Sequence, residues 1–154
     1  NAVSDGDIIE ALVSQKSSLL NWIDSASTKQ ADFRYAPGKW SAKEVVGHII
    51  DTEWIFTYRA LRFARGDQSP LPGMDQNQFM EGANFAERSL GDLRVEFSGL
   101  RTASTQLMGS FSEAVLDRVG IASDCPFTVR AMMWITAGHC QHHLTILNER
   151  YKMS

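Results

Sequence analysis

The chain has 154 residues, 44% of them hydrophobic and 21% charged, with 11 Gly and 4 Pro. That composition describes one globular domain, read over residues 1–154, that can bury roughly 70% of its unfolded surface, and it excludes disordered and collagen-like classes. Fifteen Lys and Arg against eighteen Asp and Glu leave a net charge of -3, which offers no cationic field to nucleic acid or anionic lipid, so neither is an expected partner.

Ser4 and Asp5 can cap a first helix, in which Ile8, Leu12, Leu19 and Ile23 recur at helical spacing up to about Ser25. The polar stretch from Ser25 to Arg34 has no sustained period, and Pro37-Gly38 marks a turn. Next comes the strongest local signal, Trp40-Ser41-Ala42-Lys43-Glu44. Ser41 and Glu44 have capping-box spacing, and Trp40 can staple against Val45. Nothing interrupts the pattern before Gly66, so a second helix of about 24 residues, roughly 36 Å, is expected.

Gly66 to Gly73 reads as a loop and Asp75 to Glu81 as weakly helical. Ser89 with Asp92 resembles a further cap, and Leu93, Phe97, Leu100, Ser104 and Leu107 form one stripe of a third long helix. From Met108 to Phe127 the chain reads as irregular, with a short turn at Glu113 to Arg118, and Thr128 can cap a last helix from Val129 to about Tyr151. Four long helices without an alternating strand run predict an all-α fold, a four-helix bundle, with a core that includes Leu12, Val45, Ile49, Leu100 and Ile135. Trp40, Trp54 and Trp134 are read as packing residues.

Three of the four histidines, His139, His142 and His143, fall on the last helix. Residues at i and i+4 share a helix face, so His139 and His143 can approach one ion at about 2.0–2.2 Å. His139 with His142, at i and i+3, is the competing pair. His48, early in the second helix, can complete a three-imidazole set that leaves coordination positions for substrate. On the same helix Asp51 can orient an imidazole, and Arg59 or Arg62 can hold an anionic group. A solvated or helix-pairing charge pattern, such as Asp51 or Glu53 with nearby arginines, is the favoured reading of the same charges. Asp75 can line a pocket mouth or cap a helix. Cys140 is read as a buried inert thiol, and with only Cys125 beside it a reducing, cytoplasmic setting is expected. The H-E-x-x-H, G-x-S-x-G and P-loop patterns are absent.

The run from Tyr35 to Glu44, His48 four residues later, Asp51-Thr52-Glu53, the loop from Ala64 to Asp75, and Gly138-His139 with His143-Leu144 together resemble the DinB-like superfamily. The resemblance covers about Ile8 to Tyr151. It implies an antiparallel-type four-helix bundle with long connections, a homodimer, and a divalent metal, nickel or zinc first, on the positions of His48, His139 and His143. Similar proteins include S-transferases that use a low-molecular-weight thiol such as bacillithiol or mycothiol, a mycothiol-dependent maleylpyruvate isomerase, and many members assigned only as metal-dependent hydrolases. The expected activity is therefore transfer of such a thiol to a small-molecule electrophile. The alternatives are metal-dependent hydrolysis and a non-catalytic metal-binding stress protein.

Overall fold

Helix caps written into the sequence set where most of the elements begin. The computed structural model describes residues 7–152. It contains α1 (Ile8–Ser25), α2 (Thr28–Asp32), α3 (Ala42–Ala64), α4 (Gln76–Gly82), α5 (Leu90–Gly109), α6 (Glu113–Leu116), β1 (Val119–Ala122), β2 (Cys125–Thr128) and α7 (Val129–Arg150), with a 3₁₀ turn at Phe85–Glu87. At the start of α3 the Glu44 N–H donates to Ser41 Oγ at 3.3 Å and the Ser41 N–H to Glu44 Oε2 at 2.6 Å, which satisfies two otherwise orphaned donors reciprocally. Ser89 and Asp92 repeat the device on α5, and Thr128 caps α7. The α3 helix stops where Gly66 takes a φ of 78°, a left-handed conformation that suits a residue without a Cβ. The cap observed on α1 is Asp7, whose side chain accepts from the Ile9 N–H; Ser4 and Asp5 lie outside the described residues.

Two elements depart from the sequence reading. α2 is one short turn behind a Ser27 cap, too brief to show a period. The stretch read as irregular holds an antiparallel hairpin with Gly120 opposite Phe127 and Ile121 opposite Pro126. Its strands are four residues each, and its tight turn places Ser123 at φ 51° and Asp124 at φ 60°. Such turns favour Asn-Gly or Asp-Gly, so Ser-Asp carries little hairpin signal. The loop after α3 is pinned to the outer edge of β1: the Leu71 N–H donates to Ile121 O at 2.9 Å and the Ser123 N–H to Leu71 O at 3.1 Å.

The four long helices form a ring in which α1 packs on α5, α5 on α3, α3 on α7 and α7 on α1. Contacts reveal their directions. Asp24 meets Arg94 and Lys16 meets Thr102, so α1 and α5 run antiparallel. Trp40, just before α3, meets Tyr151, and Phe56 meets His139, so α3 and α7 are also antiparallel. Glu53 meets both Arg101 and Ser104, while Lys43 reaches Ala86, which makes α3 and α5 parallel neighbours. α1 is then parallel to α7. The bundle is therefore antiparallel across only two of its four interfaces, a departure from the simple antiparallel expectation that the long connections between helices permit.

Two apolar clusters fill the ends of the bundle. One holds Leu19, Val45, Ile49, Phe97, Leu100 and Leu144; the other holds Leu12, Phe63, Met108, Met132 and Ala137. Of the expected core residues, Ile135 is only partly buried, packed against the second cluster. Trp54 is 52% exposed, so it is not the core residue expected from its type. Close packing also fixes Gly47, where an added Cβ would lie 2.5 Å from the Phe85 ring.

Between the clusters lies a polar layer. The Arg101 guanidinium, fully buried, donates from Nε and Nη2 to the Glu53 carboxylate at 2.7 and 2.6 Å. Its Nη1 donates to Leu12 O at 3.0 Å and Gln15 Oε1 at 3.3 Å, Ser104 Oγ donates to Glu53 Oε1 at 2.6 Å, and Gln15 Nε2 donates to Ala137 O at 2.9 Å. One network thus ties all four long helices. Glu53 thus pairs between helices, with Arg101 of α5 and not with an arginine near it in sequence. Desolvating two charges is tolerated here because every nitrogen of the guanidinium has a partner.

Candidate metal centre

The antiparallel packing of α3 on α7 brings His48, from the second turn of α3, onto the face of α7 that carries His139 and His143. One nitrogen from each of these three residues lies within 4.8 Å of the others. His139 Nε2 and His48 Nε2 are 3.0 Å apart, and the three ring centroids are separated by 4.5 to 4.9 Å. Imidazole nitrogens this close can share one ion about 2.0–2.1 Å from each. His142 is exposed and lies outside the group.

The chemistry of the donor set fits a cation. Burial pushes all three imidazoles down from their ordinary pKa: His48 and His143 to about 4, and His139, which also feels His143, His48 and His142, to about 3. They are neutral near pH 7, the form a metal requires. His143 Nδ1 is sealed from solvent without a hydrogen-bond partner, an arrangement that a ligand atom would relieve. Thr52 Oγ1 sits 3.5 Å from His48 Nδ1, at the limit of a hydrogen bond, and so presents the other ring nitrogen to His139. The Trp40 ring, 4.9 Å from His48, and Phe56, 5.8 Å from His139, supply the apolar walls behind the desolvation.

Two cavities flank the trio. One, of about 260 Å³, is lined by residues that include His48, His139, Thr52, Phe56, Arg59 and Ser123; the other, of about 280 Å³, includes His143, Trp40, Tyr35 and Tyr151, and Gln76 lines both.

The remaining candidates separate. Arg59 reaches the first cavity and is 7% exposed. Arg62 faces outward, where it pairs with Asp67 and Tyr58. Asp51 is turned toward α5: burial and the Glu96 charge raise its carboxyl pKa while Arg88 opposes them. Among the described residues no hydrogen bond or ion pair joins it to the imidazoles, and it is Thr52 whose hydroxyl sits near His48 Nδ1. Asp75 caps α4, accepting from the Asn77 and Gln78 N–H groups at 2.9 and 3.1 Å; its neighbours Met74 and Gln76 line the cavity instead. Cys140 is buried, and burial raises its thiol pKa, with Arg101 opposing and Glu53 adding to the rise. Thr52 and Phe56 lie at helical offsets of four and eight from His48, a signal available in the sequence. Ser123, on the hairpin tip, and Gln76 carry no such signal.

Parallel and antiparallel neighbours in one ring, with three imidazoles converging between two small cavities, define a histidine-centred four-helix bundle. The chain belongs to the DinB superfamily, whose sequence profile matches residues 11–147. The chain also resembles, at 28% identity over 131 residues, an Oceanobacillus iheyensis protein named "putative metal-dependent hydrolase", with 79% of this chain and 70% of that one covered. Its fold matches that of YfiT from Bacillus subtilis with a TM-score of 0.81 at 17% identity, over 92% of this chain and 82% of that one. YfiT is described as "a probable metal-dependent hydrolase with an unusual four-helix bundle topology". No helix among the described residues is long and apolar enough to cross a membrane.

Proposed function

We propose that this chain is a divalent-metal-dependent enzyme whose ligands are His48, His139 and His143, and that it transfers a low-molecular-weight thiol to a small electrophile. The observation that carries the metal is the trio itself: three neutral imidazoles within 4.8 Å, one with a sealed and unpartnered nitrogen. A bound zinc or nickel ion lowers the pKa of a thiol or a water molecule, so that an anionic nucleophile exists near neutral pH.

The chain's own residues supply the rest. Thr52 holds the His48 ring, and Trp40 and Phe56 keep bulk water from the imidazoles. Among the described residues no Asp or Glu lines either flanking cavity. Glu53, one residue from Thr52, is committed to Arg101 and Ser104. A water nucleophile benefits from a positioned proton acceptor, whereas a thiol ionises several pH units more readily, and this favours thiol transfer. Hydrolysis is the second reading, and the descriptions of the two similar proteins favour it.

The test compares metal-loaded and chelated protein in parallel assays, one with several low-molecular-weight thiols and a small electrophile, the other with model esters. Metal-dependent consumption of thiol supports the first reading. Metal-dependent ester cleavage that ignores thiol establishes the second, and inactivity in both assays supports a non-catalytic metal-binding role.

A further inference from the structure

A guanidinium that is nearly buried ordinarily has a carboxylate beside it, because an uncompensated charge is costly to desolvate. Arg101 obeys this rule and Arg59 does not. None of the ion pairs among the described residues includes Arg59. Among the described residues its hydrogen bonds use Nη2 alone, which donates to Pro72 O at 2.8 Å and Ser123 Oγ at 3.3 Å. Among the described residues Nε and Nη1 have no hydrogen-bond partner, and neither is one of the sealed, unpartnered polar atoms, which belong to Thr57, Thr105 and His143; both therefore keep accessible surface on a residue that lines a cavity together with His48 and His139. Burial alone pulls the Arg59 pKa down, with no acidic neighbour to raise it.

From these observations we infer that Arg59 is a substrate-binding residue, and that the small molecule handled beside the histidines carries a carboxylate that accepts from its Nε–H. The inference rests on the proposed enzymatic reading and names the substrate class for it. A hydrogen bond from a guanidinium N–H to a carboxylate is charge-assisted, shorter and stronger than one to a neutral acceptor. A single cation balances one negative charge, and the Ile55, Phe56 and Met74 side chains in the same lining suit an organic stem. Both points favour a small organic acid over inorganic phosphate. Arg62, the other arginine of this helix with the same prospect in sequence, has its charge answered by Asp67.

A purely structural role for Arg59 would be to clasp the loop at Pro72 to the hairpin at Ser123. That role uses Nη2 alone and leaves the other two nitrogens without a purpose.

The test uses butanoate, butanamide and inorganic phosphate as probes on the full chain, both metal-loaded and chelated, with binding followed by calorimetry and by the Arg59 Nε–Hε resonance of the wild-type protein. Saturable butanoate binding is expected in both forms. It should shift that resonance, be at least tenfold tighter than butanamide or phosphate, weaken at least tenfold in Arg59→Met, and be partly retained in Arg59→Lys. Equal binding of acid and amide, preference for phosphate, or an Nε–Hε resonance that butanoate leaves unmoved would overturn the inference, and the resonance decides even if Arg59→Met fails to fold. Metal uptake by the wild-type chain, titrated separately, tests the histidine reading, so either can fail without the other.

Discussion

Two polar clusters occupy the middle of this bundle, and they were built to opposite rules. Glu53 and Arg101 form a closed set: both are at most 2% exposed, and the guanidinium spends all its nitrogens on partners from α3 and α1. His48, His139 and His143, starting only one turn away on α3, form an open set with a sealed nitrogen lacking a partner and cavities on both sides. A closed polar cluster in a low-dielectric interior holds helices in register, whereas an open one keeps bonding capacity for something that is not the protein. The contrast extends to the two buried arginines, since Arg101 is fully answered and Arg59 is not.

The largest effect should come from breaking the closed set. Arg101→Met leaves the Glu53 carboxylate buried without its cation, and urea unfolding should show a loss of about 3–5 kcal/mol. Adding Glu53→Leu should recover a large part of that loss, because the orphaned charge is removed with its partner. If the double variant is no better than the single one, the pair's role is packing and not charge compensation.

Breaking the open set should move function and leave the fold nearly intact. His143→Ala should weaken metal binding at least 100-fold by calorimetric titration while the chelated protein loses far less stability than Arg101→Met does. His142→Ala, on the exposed side, should leave metal affinity unchanged. The reverse ranking would identify the i, i+3 pair as the ligands.

Acid should attack the open set through its depressed imidazoles. The native state resists protonating them, so between the ordinary histidine pKa near 6.5 and the folded values of about 3 to 4 the unfolded chain binds more protons. Their stability contribution is complete above that window and is lost as pH falls through it. Urea midpoints of the chelated protein should therefore decline from pH 7 to pH 4, and His48→Phe should flatten the slope. Metal should be released over the upper part of the same range, because a cation competes with protons for the same nitrogens.

Smaller effects probe what surrounds each cluster. Thr52→Val, which removes the hydroxyl near His48 Nδ1, should reduce metal affinity by about tenfold with little change in stability. Arg62→Ala, on the solvent face beside Asp67, should leave both the urea midpoint and metal affinity where they were. A marked loss of metal affinity in this variant would mean that the outward arginine reaches the centre after all.

Interactions completed within one or two helical turns were legible in the sequence, because no distant partner is needed. The capping boxes at Ser41–Glu44 and Ser89–Asp92 are of this kind, as are the periods that make the four long helices and the shared face of His139 and His143. Cap, period and i+4 offset are properties of a single helix. Tertiary structure decided everything that required a second element. It placed α3 beside α7 so that His48 meets the pair, turned Asp51 to α5, and gave Glu53 a partner forty-eight residues away. It also separated Arg59 from Arg62: three residues apart on one helix, they point only about 60° apart around its axis, and only the packing of the hairpin and the loop at Pro72 buries one while water and Asp67 receive the other. The hairpin was illegible for the same reason, since strands of four residues acquire their partners from a turn without glycine and from Leu71, fifty residues back along the chain.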